Sequence, residues 1–175
     1  MNPFYQRLFI ASADELVRPK GRDITHVLAV SNPGAAPPKL PWFIGEYLQL
    51  WFGDVVSEAD AQRCQTKAPT TDDLHRALDF SRSAWQSNEA KVLVTCDYGA
   101  SRSPALAYVL VADQLGFGRE PDALDLILQI RLDAVPNRLV VELGDTVLMR
   151  KGALLGPLKG LYSTIDEEIS KWHAR

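Results

Sequence analysis

Cys96 and Arg102 stand six positions apart in VLVTCDYGASRSPALAYVLV, residues 92–111. One apolar run ends at the cysteine, and a second begins at Ser103–Pro104. Between them lie Asp97, Tyr98, Gly99, Ala100 and Ser101. A tight strand-to-helix turn containing a glycine can point several backbone N–H groups inward as an anion-binding nest. The helix that follows adds the positive end of its dipole. A guanidinium at Arg102 can grip two oxygens of a tetrahedral anion. The same field favours a thiolate at the cysteine. A thiolate at the floor of a phosphate-shaped pocket can attack phosphorus and form a covalent phosphocysteine. A cysteine ending a buried strand can also be a small core residue, and the Cys–Arg spacing alone is a weak signal. The strand before it, the glycine within and the helix start after it favour the anion site.

These residues need a frame. Thr25–Val30, Tyr47–Phe52 and Lys91–Cys96 are short apolar runs that read as strands, with Arg7–Ser12 a weaker fourth; continuous runs of this length suit strands covered on both faces. Thr70 and Asp73 have capping-box spacing. They precede a helical pattern that puts Leu74, Ala77, Leu78, Ser81, Ala84 and Trp85 on one side. The segment SPALAYVLVADQLG carries Pro104 near its first turn and Gly116 past its end, and it is apolar almost all round, as a central buried helix would be. Further helical patterns run through EPDALDLILQIRLD, through PNRLVVELGDTVLMRKG to near Gly152, and through the tail, where Ile165, Ile169 and Trp172 share a side. Ser31–Trp42 and Gly53–Pro69 read as loops. This alternation predicts an α/β fold: a central, mostly parallel sheet of four to five strands with helices on both faces. The cysteine–arginine turn would lie at the carboxyl end of a middle strand, where such sheets bind ligands. The length of 175 residues suits a single domain over 1–175, with a core of about 23–150 and a C-terminal extension over 151–175.

The loop CDYGASRS resembles the C-x5-R-[ST] signature of cysteine-dependent protein tyrosine phosphatases, and the surrounding chain resembles their small dual-specificity branch. DITHVLAVS is similar to the strand upstream of the signature. YLQLWFGD is similar to the strand leading into the general-acid loop, and AVPNRLVVEL to the Pro-Asn segment opening a late helix. The likeness runs in order from about Asp23 to Leu148. It implies a protein-tyrosine or dual-specificity phosphatase, hydrolysing phosphomonoesters without metal or other cofactor. Cys96 would be the nucleophile. Arg102 and the backbone of residues 97–102 would bind the phosphoryl group. Ser103 would donate a hydrogen bond to the thiolate, and Asp54 would be the general acid and then base; Glu58 and Asp60 are alternatives in the same loop. Two features depart from the family pattern. Thr95 stands where a histidine commonly precedes the cysteine, and the segment from Asp54 to Thr70 is longer than usual.

Composition narrows the rest. A net charge of −3 argues against nucleic acid as the main partner. No apolar run approaches the roughly 20 residues of a membrane span, and no secretory signal opens the chain. Cys64 and Cys96 form no disulfide framework or metal spacing, which suits a cytoplasmic protein with free thiols; a redox pairing of the two is the less favoured reading. His26, His75 and His173 are scattered, and the four tryptophans read as packing residues. Arg63 and Lys67 read as solvated. Arg18, Lys20 and Arg22 form a basic cluster that is either a solvated turn or an attractor for phosphorylated partners, and Arg131 is placed to reach the edge of the site. The expected partner is a phosphorylated protein or a small phosphomonoester. Two alternatives stay open: a phosphate-binding pseudophosphatase module, which Thr95 favours, and a phosphatase of an inositol phosphate, phosphoinositide or nucleotide, which the acid at Asp97 disfavours by repulsion.

Overall fold

The structure, a computed structural model, describes residues 4–164; the amphipathic pattern at Ile165, Ile169 and Trp172, and His173, lie outside them. Four strands, β1 (Leu8–Ser12), β2 (His26–Ser31), β3 (Glu46–Trp51) and β4 (Val92–Cys96), form one sheet in the order β1-β4-β2-β3. All its neighbours are parallel, with β4 pairing with both β1 and β2. Each strand begins within one residue of its sequence-predicted start. Because every strand runs the same way, the four carboxyl ends gather at one edge. Ser12, Ser31, Trp51 and Cys96 end the strands there, and Cys96 is in register with Ser12.

Helices α1 (Glu58–Arg63), α2 (Thr71–Trp85), α3 (Arg102–Leu115), α4 (Glu120–Ile130) and α5 (Arg138–Val147) follow the strands or one another. In α2 the capping box forms as the spacing implies: the Asp73 N–H donates to Thr70 Oγ1, and the Thr70 N–H donates to the Asp73 carboxylate. Such a cap contributes about 1 kcal/mol. Its predicted apolar side is the buried one. Helix α3 is buried on every side from Arg102 to Ala112 and packs against the sheet, α2, α4 and α5. Each fully buried Leu or Val there contributes about 1.5–3 kcal/mol. The surrounding core joins Phe4, Leu28, Val94 and Leu106 to Leu154 and Leu158.

Two expectations are corrected. Helices were expected on both sheet faces, yet among the described residues α2 to α5 all pack into the core on one face. The other face, lined by Val27, Ala29 and Leu93, is covered by Leu16, which ends a 3-10 turn (Ala13–Glu15), and by Leu40, Trp42 and Phe43. The latter three sit in a proline-rich segment that cannot supply the N–H groups of a helix, so its apolar side chains cover the sheet from a loop. The second correction concerns Gly53–Pro69, which contains α1. Ser57 caps that helix by accepting from the Asp60 N–H at 3.1 Å.

Candidate active site

The loop between β4 and α3 is shaped from outside. The carbonyl of Asp97 accepts from the Ala13 N–H at 3.1 Å, that of Ala100 from Val135 at 2.7 Å and that of Ser101 from Asn137 at 3.1 Å. The Tyr98 carbonyl accepts from Arg131 Nη2 at 3.3 Å. A trans peptide points its N–H opposite to its carbonyl, and no peptide bond among the described residues is cis. The N–H groups of Tyr98, Gly99, Ser101 and Arg102 therefore turn inward, which makes the nest. Gly99 is required twice over. Its φ is +67°, and a Cβ there would lie 2.7 Å from the Ser12 nitrogen.

Arg131 thus reaches the edge of the site, as its position predicts. It also pairs with Glu15. The Ser12 N–H, first, and Arg131 hold the Glu15 carboxyl below its ordinary range. Thr95 is buried, and its hydroxyl donates to the Ala11 carbonyl at 2.9 Å. It ties β4 to β1 immediately under the glycine turn.

Cys96 is buried, with Sγ 3.1 Å from Ser103 Oγ and 3.4 Å from the Ser103 N–H. An ordinary helix start would cap such an N–H with a side-chain oxygen. Here Ser101 is the residue at the cap position, and its hydroxyl instead donates to Asp54 Oδ1 at 2.7 Å. The first N–H groups of α3 are left to the sulfur and to the nest.

Arg102 is 2% exposed. Its Nη1 donates to Asn32 Oδ1 at 2.9 Å and to the Phe52 carbonyl at 3.0 Å. Its Nη2 donates to Asp97 Oδ2 at 2.7 Å. Its Nε is buried with no hydrogen-bond partner, and Asp54 Oδ2 is 3.9 Å away. A buried donor without a partner costs about 1–3 kcal/mol, a cost an anion in the nest would remove.

Asp54 follows β3 and is brought to the loop by three anchors. The Gly53 N–H donates to the Lys67 carbonyl at 2.8 Å. Ser101 and Asn137 Nδ2 both donate to Asp54 Oδ1, each at 2.7 Å. Asn137 Nδ2 also donates to the Val55 carbonyl at 3.1 Å, while its Oδ1 caps α5 by accepting from Val140 at 3.0 Å. The other loop carboxylate with a clear task is Asp60, which pairs with Arg63 and accepts from the Val56 N–H; Glu58 begins α1. Lys67 is exposed, as expected, and also pairs with Asp73 at 3.2 Å.

The structure therefore gathers Cys96, Arg102, Ser103, Asp54 and the turn of residues 97–101 at one strand edge. Sequence reasoning missed Asn32 and Asn137. Asn137 carried a signal, since it stands in the Pro-Asn segment, but was read only as a helix start; Asn32 had the look of a plain turn residue. Outside the nest lies a cleft of about 450 Å³ bordered by Pro33, Val55, Cys64, Gln65, Thr66 and Tyr98. Arg102 is the one cation among the described residues that line it. Cys64 is exposed and free, with its sulfur 3.8 Å from Asp60 Oδ1. Arg18 and Arg22 lie apart from this cleft. They line a neighbouring groove of about 380 Å³ that includes Glu15 and Arg131. Among the described residues, no cluster of three His, Cys, Asp or Glu side chains could hold a metal ion.

The parallel four-stranded sheet, the buried α3 and the turn joining them are the fold of the dual-specificity branch of cysteine-dependent tyrosine phosphatases. Among solved structures, human DUSP28 superposes with a TM-score of 0.61 at 19% identity, over 85% of this chain and 95% of its own. A mouse putative dual specificity phosphatase complexed with zinc tungstate gives 0.60 at 22% identity, over 84% and 85%. PTPMT1 in complex with PI(5)P gives 0.56 at 15% identity, over 83% and 95%. No protein-family model and no curated protein sequence matches the chain. No helix among the described residues is long and apolar enough to cross a membrane.

Proposed function

We propose that this chain is a cysteine-dependent phosphatase that hydrolyses phosphomonoesters, phosphotyrosine first among them, through a phosphocysteine intermediate. The observation that carries the reading is the buried, unpartnered Nε–H of Arg102 beside a loop whose amides turn inward over the Cys96 sulfur. A phosphoryl group in the nest would take that donor. In the first half-reaction the Cys96 thiolate attacks phosphorus and the ester P–O bond breaks. The leaving oxygen takes the proton of the Asp54 carboxyl. Two hydrogen bonds already end on Asp54 Oδ1, so its proton belongs on Oδ2, the oxygen on the Arg102 Nε side. In the second half-reaction the Asp54 carboxylate takes a proton from water as its oxygen attacks phosphorus. The S–P bond breaks, inorganic phosphate forms and the thiolate returns. Ser103 eases that departure by donating to the sulfur.

The substrate is a phosphorylated protein or a small phosphomonoester. One buried cation facing two carboxylates, Asp54 and Asp97, suits a single phosphoryl group better than a phosphoinositide or inositol polyphosphate. The free thiols fit a reducing compartment such as the cytoplasm. Turnover of p-nitrophenyl phosphate tests the reading. Hydrolysis should be abolished by Cys96→Ser and insensitive to a chelator. Phosphate binding without turnover would leave a phosphate-binding interaction module instead.

A further inference from the structure

A guanidinium has five N–H donors, and their allocation in Arg102 leaves a specific remainder. Both Nη1 donors are used, by Asn32 Oδ1 at 2.9 Å and the Phe52 carbonyl at 3.0 Å. One Nη2 donor goes to Asp97 Oδ2 at 2.7 Å. The same Asp97 oxygen accepts from Asn32 Nδ2 at 3.2 Å. The result is a closed ring: Nη1 to Asn32, Asn32 to Asp97, Asp97 to Nη2. Such a ring closes only across the end of the guanidinium that carries both Nη atoms. The two donors left over are therefore Nε–H, which has no hydrogen-bond partner, and the second Nη2–H beside it. These form the parallel pair that grips two oxygens of a phosphoryl group.

We propose that Asn32 and Asp97 are positioning residues for this chemistry: they clamp the end of the Arg102 guanidinium so that its Nε–Nη2 edge faces the anion. Asp97 acts through Arg102 rather than on the substrate. Its carboxylate also offsets one positive charge at the foot of the cleft. The same residue that aims the arginine therefore limits the site to one phosphoryl group. This inference rests on the proposed function for its kinetic consequences, while its binding consequence stands apart from turnover.

Two measurements test it. The first is calorimetric binding of inorganic phosphate to Cys96→Ser protein, with and without Asp97→Ala. The second is the kinetics of p-nitrophenyl phosphate hydrolysis by otherwise unaltered protein. Loss of the clamp should weaken phosphate binding about tenfold. It should lower kcat about 10- to 100-fold with a smaller change in KM, since a group misplaced by about 1 Å can cost 100-fold. Asp97→Asn should recover most of the lost kcat, because its amide oxygen can still accept from both Nη2 and Asn32. Asn32→Ala provides an independent break of the ring and should act in the same direction. The opposite result, Asp97→Ala protein binding phosphate as tightly as the parent or more tightly, would make Asp97 a plug that competes for Arg102 and would overturn the proposal. Asp97-dependent phosphate binding without turnover would remove the enzymatic function and leave the clamp standing. Turnover with Asp97-independent binding would do the reverse, and a Cys96→Ser protein that binds no phosphate would overturn both.

Discussion

Replacing Asn137 by alanine removes one side chain that makes three contacts. Its Nδ2 holds Asp54 and the Val55 carbonyl, and its Oδ1 caps α5. The cap contributes about 1 kcal/mol. Leaving buried partners unsatisfied costs about 1–3 kcal/mol, so the folded state should lose about 2–4 kcal/mol in urea denaturation. Activity should fall in a diagnostic way. Asp54 keeps its bond from Ser101 but loses the other anchor on the same oxygen. General acid catalysis is worth about 100- to 10,000-fold, and a misaimed acid forfeits part of that, about 10- to 100-fold in kcat/KM. The loss should be larger for phenyl phosphate, whose leaving oxygen needs a proton, than for p-nitrophenyl phosphate, whose leaving group departs readily as an anion. Asn137→Asp separates the two roles, since it can still cap α5 but cannot donate to Asp54. It should keep more stability than the alanine variant while losing activity. Equal losses on the two substrates, or full activity in the alanine variant, would refute the link between Asn137 and the acid.

Other expectations follow from particular contacts. Gly99→Ala should abolish measurable phosphate binding and lower stability by at least about 1–2 kcal/mol, the cost of a left-handed non-glycine residue, because its Cβ would also meet Ser12; calorimetry and denaturation check both. Glu120→Ala strands the buried Arg150, now paired at 2.9 Å, and should cost about 3–5 kcal/mol; a loss under about 1 kcal/mol would show that the Ala112 carbonyl and Phe117 ring suffice for that guanidinium. Burial depresses the pKa of His26, which the nearby Glu46 only partly offsets. Its unfolded form therefore binds more protons once the pH drops below about 6.5. The contribution is full above that value and is lost as the solution is acidified, so His26→Gln should flatten the decline in stability between about pH 7 and pH 5 in pH-resolved denaturation.

What the sequence disclosed depended on how local the cause was. The strands and α2 were legible because apolar runs and the Thr70–Asp73 spacing act over a few residues. The Cys96–Arg102 turn was legible for the same reason, and its glycine requirement follows from one backbone angle and one close approach. Asp97 could be read only as a charge in the loop. That its carboxylate closes a ring with Asn32 depends on β2 and β4 ending side by side, which no spacing reveals. The link from Asn137 to the acid was hidden similarly, because the partners of its Nδ2 sit more than 80 positions away. The loop-covered sheet face escaped notice because Leu40, Trp42 and Phe43 carry no period, only bulk.

The most direct test of the central claim is mass spectrometry of protein acid-quenched during turnover of p-nitrophenyl phosphate. One phosphoryl group should be found on the Cys96 sulfur, accumulating further when Asp54 is replaced by asparagine and the second half-reaction slows. Hydrolysis that continues with no adduct at Cys96, or that survives in Cys96→Ser protein, would contradict it.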